Sequence, residues 1–200
     1  MEVVTISTDT VEKFINYFKE KEKEVNKDEY THFMMIDETV HSFLDEYFSD
    51  KTFCHGNILW HKAGIPPHID ECGMGNTQSI IVPLIVNNPD QKLIVFDQTY
   101  DKECTWFGNL QAEMNPDRSY GSERHEPPYK TPGVQGLTEE PCPKELTDHL
   151  PTYYGEDMYF GLSGDVINYE VGTAIIFDSQ RIHTTGTMTG EKLAVTSFVK

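Results

Sequence analysis

No apolar run in this chain is long enough to cross a bilayer as a helix; the longest, such as Ile80 to Val86 and Leu93 to Phe96, are strand-sized. Cations are scarce too. Sixteen Lys and Arg stand against 33 Asp and Glu, a formal net charge of −17, so the clustered positive surface that phosphate backbones require is missing and nucleic acid is excluded as a partner. The acidic excess is read as a hydrated surface rather than as selection for a cationic substrate. Cysteine is sparse: Cys54, Cys72, Cys104 and Cys142 are widely spaced and form no Cys-x-x-Cys pair, which signals neither a zinc site nor a disulfide framework and leaves reduced thiols as the default. Met1-Glu2-Val3-Val4 lacks the basic start and long apolar core of a signal peptide, so a cytoplasmic location is expected.

With 200 residues, 38% of them hydrophobic, a single domain can bury a substantial core, and residues 1–200 are read as one. Residues 1–54 read as helical support. Val11, Phe14, Ile15 and Phe18 recur at helical spacing behind a capping-box-like Asp9 and Glu12. A second stripe, Val40, Phe43, Leu44, Tyr47 and Phe48, follows Asp37 and Thr39, either of which suits the cap. His32 and His41 are read as structural or surface residues.

From His55 onward the texture changes to short β runs punctuated by Gly, Pro and Asn, the pattern of an antiparallel sandwich or barrel. Eight strands are expected: Gly56 to Lys62, Pro67 to Glu71, Ser79 to Asn87, Lys92 to Thr99, Met158 to Tyr169, Gly172 to Phe177, Arg181 to Thr187 and Lys192 to Val199. The fifth is interrupted by Gly161, Gly164 and Asn168 and reads equally as a hairpin or a bulged edge. Strands fall within 55–99 and 158–200. Residues 100–157 form an aperiodic insert rich in Pro, Gly and acidic residues, whose Trp106, Phe107, Tyr120, Tyr129, Tyr153 and Tyr154 either line a lid or anchor the loop. His125 and His149 are read as solvent-exposed.

The chemistry concentrates in His68-Ile69-Asp70 and the distant His183. On a strand, His68 and Asp70 would project from one face and bite one cation. Two imidazoles and one carboxylate can cap one face of ferrous iron and leave the opposite positions open. A His-x-Asp pair alone is more often a surface turn. Here it follows Gly64-Ile65-Pro66-Pro67 and precedes a long apolar strand, while His183 lies between two strands with a cation, Lys192, nine positions on (183 to 192).

This arrangement resembles the 2-oxoglutarate- and Fe(II)-dependent dioxygenases, with the basic residue spaced as in prolyl-4-hydroxylase-like enzymes. The resemblance spans about residues 55–99 and 158–200. It implies a mainly β fold with α, a double-stranded β-helix (jelly roll, cupin-like) braced by the N-terminal helices. It further implies His68, Asp70 and His183 as catalytic metal ligands, Fe(II) as cofactor and 2-oxoglutarate as co-substrate, with Lys192 pairing with the far carboxylate. A lysine offers a point charge rather than a fork, so Thr185 or Thr196 is expected to share that carboxylate. Because Asp70 is present, hydroxylation or a related oxidation is favoured over halogenation.

Weaker candidates surround the triad. Asn57 is placed toward 2-oxoglutarate, with His61 near the barrel mouth. Arg181 shares a face with His183 and is assigned either to an anionic substrate group or to 2-oxoglutarate itself, or else to a surface ion pair; Trp106 is assigned to substrate. Lys92 is the runner-up to Lys192. Cys72, beside Asp70, is read as a structural thiol. Three classes of function fit: an oxygenase acting on a small molecule or peptidyl side chain, a cupin-like metalloenzyme without an oxoacid, and a non-catalytic jelly-roll binding module. Substrate identity and oligomeric state leave no mark in the sequence.

Overall fold

A computed structural model describes residues 1–200 apart from 22, 24–25, 28–30, 63, 72, 74, 103–105, 109–123, 152–154 and 189, and apart from the side chains of 26–27, 31–33, 124–125 and 156. Cys72, Cys104, Tyr120, Tyr153 and Tyr154 therefore lie outside the described residues, as do the His32 and His125 side chains. Strands are numbered β1 (Glu2–Thr5), β2 (Asn26–Lys27), β3 (Thr31–Met35), β4 (Phe53–His61), β5 (Gln78–Val86), β6 (Lys92–Tyr100), β7 (Trp106–Phe107), β8 (Arg124–His125), β9 (Val134–Gln135), β10 (Gly164–Asn168), β11 (Thr173–Asp178), β12 (Arg181–Thr185) and β13 (Lys192–Val199). The helices are α1 (Thr8–Glu20) and α2 (Glu38–Ser42), with one further turn at Lys144–Thr147.

Two facing sheets make a double-stranded β-helix. The larger runs β1-β11-β5-β13-β4-β3-β2; the smaller runs β10-β6-β12, with β9 added on β6. All these pairs are antiparallel, and the short β7–β8 ribbon is parallel. Alternation along β13 assigns the faces. Leu193 and Val195 join Ile58, Ile80, Val82 and Ile176 against the helices, whereas Ala194 joins Ile81, Leu93, Val95, Ile175 and Phe177 between the sheets.

The helices brace the larger sheet as expected. Val11 and Phe14 of α1, with Val40, Leu44 and Phe48 around α2, pack on that sheet's outer face, each fully buried apolar side chain contributing about 1.5–3 kcal/mol. The cap of α1 is Ser7, whose hydroxyl accepts the Thr10 N–H at 3.1 Å, so the helix begins ahead of the expected Asp9. Asp37 caps α2, its carboxylate accepting the Thr39 N–H at 2.9 Å.

Residues 1–54 also supply strands that helical periodicity did not reveal. Glu2–Thr5 is rich in β-branched residues and pairs with β11, and Thr31–Met35 pairs with β4. The expected fifth strand shrinks to Gly164–Asn168, because Glu156–Tyr159 forms a 3-10 turn and Gly161 adopts φ 79°. The expected second strand is absent: His68 makes only isolated bridges, for Pro66 and Pro67 have no N–H to give a ladder. Leu146 and Leu150 of the insert, with Met158, Tyr159 and Leu162 just after it, cover the outer face of the smaller sheet, against Ile94, Phe96, Tyr100 and Ile182. No helix among the described residues is long and apolar enough to cross a membrane.

Candidate metal centre

Residues 64–70 form a strap laid along β12. The His68 N–H donates to the His183 carbonyl at 3.0 Å, and the His183 N–H donates back to the His68 carbonyl at 2.9 Å. Asp70 N–H then donates to the Ser179 carbonyl at 2.9 Å. Below the strap, Asn76 Nδ2 donates to the Asp70 carbonyl at 3.2 Å, and Ser179 Oγ donates to the Asn76 carbonyl at 3.0 Å. Two segments far apart in sequence are thereby locked side by side, with their imidazoles 4.1 Å apart between ring centroids.

The ring nitrogens divide their work. His68 Nδ1 lies 2.8 Å from the Pro66 carbonyl and His183 Nδ1 lies 3.0 Å from the Arg181 carbonyl. A carbonyl only accepts, so each Nδ1 carries the proton and each Nε2 presents a lone pair. Both Nε2 atoms meet the Asp70 carboxylate: His68 Nε2 is 3.5 Å from Oδ1 and His183 Nε2 is 3.2 Å from Oδ2. Donors bound at about 2.0–2.2 Å to one ion in adjacent octahedral positions stand about 3 Å apart. The two His–Asp distances are close to that spacing, and the three ligand atoms all lie within 4.8 Å of one another.

Electrostatics fits as well. Asp70 Oδ2 is buried with no hydrogen-bond donor directed at it, an expensive position for a carboxylate oxygen unless a cation takes it. Burial raises the Asp70 pKa, but the adjoining His183 and His68 imidazoles outweigh it and hold the carboxyl well below the usual range. Burial, reinforced by the neighbouring His183, pushes His68 below the ordinary imidazole value, favouring the neutral ligand form. The donor set of two imidazoles and a carboxylate suits a first-row divalent metal such as iron.

Around the triad, the Trp106 indole stacks on the His68 imidazole at 4.4 Å and 10°, and Phe177 meets His183 edge-on at 4.8 Å. The Phe107 N–H donates to the Pro67 carbonyl at 2.8 Å, tying the start of the insert to the strap.

Lys192 is buried, 3% exposed, on the inner face of β13. Its Nζ lies 3.4 Å from the centroid of the Tyr169 ring, and no carboxylate among the described residues pairs with it. Burial drives its pKa well below the ordinary lysine value. Thr196 shares that face, and Asn57 is its register partner on β4, so Lys192, Thr196 and Asn57 stand on one inner wall. His61 is also buried, opposite Lys192 in register, which moves it from the metal end to the lysine end.

Three other candidates are engaged elsewhere. Thr185 Oγ1 accepts the Ile65 N–H at 2.9 Å, which ties it to the strap. Arg181 donates through Nε to the Phe96 carbonyl at 2.6 Å and through Nη2 to Asp97 at 2.9 Å, with Asp165 3.8 Å away. Those contacts are the ion pairs of the second alternative. Lys92 donates to Asn168 at 2.7 Å and to the Pro89 carbonyl at 3.4 Å, away from the inner wall. Tyr169 was missed in sequence: it sat in a strand without a role, and its contact with Lys192 exists only once β10 and β13 are brought together.

No family model matches the sequence, and neither does any curated protein. Solved structures do match. The alpha-ketoglutarate-dependent non-heme epimerase SnoN from nogalamycin biosynthesis is 10% identical with a TM-score of 0.54, over 98% of this chain and 77% of that one. The carbocyclase SnoK, of the same cofactor dependence and pathway, is 13% identical with a TM-score of 0.53, over 98% and 79%. HygX from Streptomyces hygroscopicus, solved with nickel and 2-oxoglutarate, is 11% identical with a TM-score of 0.50, over 98% and 81%. The fold is that of non-heme alpha-ketoglutarate (2-oxoglutarate)-dependent enzymes. Inside it, this chain brings together a His-Asp-His group that could hold a metal ion and a buried lysine.

Proposed function

We propose that this protein is a non-haem Fe(II)- and 2-oxoglutarate-dependent oxygenase that hydroxylates a small molecule or a peptidyl side chain. The carrying observation is the convergence of His68 Nε2, Asp70 and His183 Nε2 in a barrel that also buries the Lys192 amine. His68, Asp70 and His183 would hold the iron. Iron with bound 2-oxoglutarate would supply the activation of dioxygen, with hydroxylated substrate, succinate and CO2 as products.

The chain's own residues account for the rest. Lys192 offers a charge with no acidic partner, an unfavourable state that a ligand carboxylate relieves. Thr196 and Asn57 line the same wall toward the oxoacid, and Thr185 stands by the strap. Ile81, Leu93, Val95, Ile175 and Phe177 make the surroundings apolar and exclude water. Trp106, at the metal end and half-buried, supplies a flat face for substrate. A cytoplasmic location is supported by the free thiols of Cys54 and Cys142.

The test is anaerobic titration with Fe(II) and then 2-oxoglutarate, followed by oxygen and a screen for succinate. One Fe(II) per chain, a visible absorption band that requires the oxoacid, and its loss in Lys192→Ala are expected. Metal binding that persists without any response to 2-oxoglutarate would point to a cupin-like enzyme; failure to bind stoichiometric metal would leave a non-catalytic module.

A further inference from the structure

The strap that carries His68 has a gap in its attachment. Backbone pairing holds it at His68 and Asp70, but Pro66 and Pro67 have no N–H, so the ladder toward β12 cannot continue through them. The next residue, Ile65, is bound by two consecutive threonine hydroxyls. Thr184 Oγ1 donates to the Ile65 carbonyl at 2.6 Å, and Thr185 Oγ1 accepts the Ile65 N–H at 2.9 Å. The Thr185 N–H adds a longer bond to the same carbonyl at 3.3 Å. Thr184 is 0% and Thr185 2% exposed, so water does not compete for these bonds.

The consequence reaches the metal site in one step. His68 Nδ1 is bonded to the carbonyl of Pro66, the residue directly after Ile65. Whatever fixes Ile65 therefore fixes the acceptor that sets the tautomer and orientation of the His68 ring. The two prolines stiffen the link between clamp and ligand, because their φ angles are locked.

We infer that Thr184 and Thr185 are positioning residues of the metal centre, a hydroxyl clamp on Ile65 that orients His68 Nε2 toward the ion. This rests on the metal-binding reading of His68, Asp70 and His183, and it gives Thr185 a role in the strap rather than at the oxoacid.

The experiment measures Co(II) affinity and the visible Co(II) spectrum for the full chain and for Thr184→Val, Thr185→Val and the corresponding Ser variants, with thermal melts of each apo protein. Both Val variants keep the volume and lose the hydroxyl. Each is expected to weaken Co(II) binding about 10-fold and to alter the spectrum, with Ser restoring both. A purely structural role would lower the melting temperature while leaving affinity and spectrum as in the parent. Folded Val variants with unchanged affinity and spectrum would overturn the inference. Should a Val variant fail to fold, Thr185→Ser against Thr185→Ala decides by the same readouts. If the parent chain does not bind Co(II), the metal reading itself falls, and the two failures are distinguishable.

Discussion

The indole of Trp106 lies parallel to the imidazole of His68, 10° between planes and 4.4 Å between centroids, so one of the chain's two tryptophans touches a proposed metal ligand. The other, Trp60, donates its indole N–H to Glu191 at 3.3 Å and carries Lys62 over its ring. A paramagnetic ion bound by His68 would sit within a few ångströms of Trp106. Titration with Co(II) is expected to quench tryptophan emission, and Trp106→Phe to remove most of that quench while retaining metal affinity. Quenching that survives intact in Trp106→Phe would place the ion elsewhere.

Asp70 supplies the only carboxylate of the set, and its Oδ2 faces His183 Nε2 at 3.2 Å. Asp70→Asn keeps the shape and removes the charge. Because losing even an outer partner of a metal ligand costs about 10–100-fold in affinity, removing this charged ligand is expected to cost more than about 100-fold. Equilibrium dialysis with Fe(II) under nitrogen checks it; near-parental affinity in Asp70→Asn would remove Asp70 from the site.

What could be read from residue order follows from where the information resides. His68, Asp70, His183 and Lys192 were legible because their donor chemistry is written in their identities and their spacing matched strand geometry. The strap was not, since alternation in Pro67 to Glu71 mimics a strand, while the missing proline N–H groups decide against a ladder. Glu2–Thr5 was not read as a strand within the helical support of residues 1–54, because its partner, β11, lies at the far end of the chain, and non-local pairing leaves no local period. Arg181 shares strand parity with His183, yet parity cannot show that Asp97 and Asp165 flank it on neighbouring strands.

The pH dependence of metal binding follows from His68. Burial first, and the charge of His183 second, depress its pKa below the ordinary 6.5. A depressed base remains neutral to lower pH than a free imidazole, so protons compete with the metal only below that value. Affinity for Co(II) is expected to hold level from pH 8 through 6.5 and to decline on further acidification. A decline already under way above pH 7 would contradict the depressed value. For the apo chain the linkage has the same direction: the His68 contribution is intact above the unfolded value of 6.5 and is lost as pH falls below it.

Lys192 sets function against stability. Its ammonium is buried and rests on Tyr169 with no acidic partner among the described residues, so the folded apo protein binds that proton less readily than the unfolded chain. By linkage, stability then rises with pH between the depressed folded value and the ordinary 10.5, because the unfolded state holds more protons across that window. Lys192→Met fills the same space without the charge. Without 2-oxoglutarate it is expected to melt at least about 3 °C above the parent at pH 7, since 1 kcal/mol corresponds to about 2–4 °C in a chain of this size. The advantage should shrink as pH climbs toward 10.5. With 2-oxoglutarate and metal present the order reverses, because only the parent gains the carboxylate partner and the ligand stabilises only the state that binds it. Differential scanning calorimetry at three pH values, with and without the oxoacid, reads all of these outcomes. A Lys192→Met chain that melts lower than the parent without ligand would mean the ammonium is already satisfied in the apo fold, and the electrostatic argument for a carboxylate at that position would fail with it.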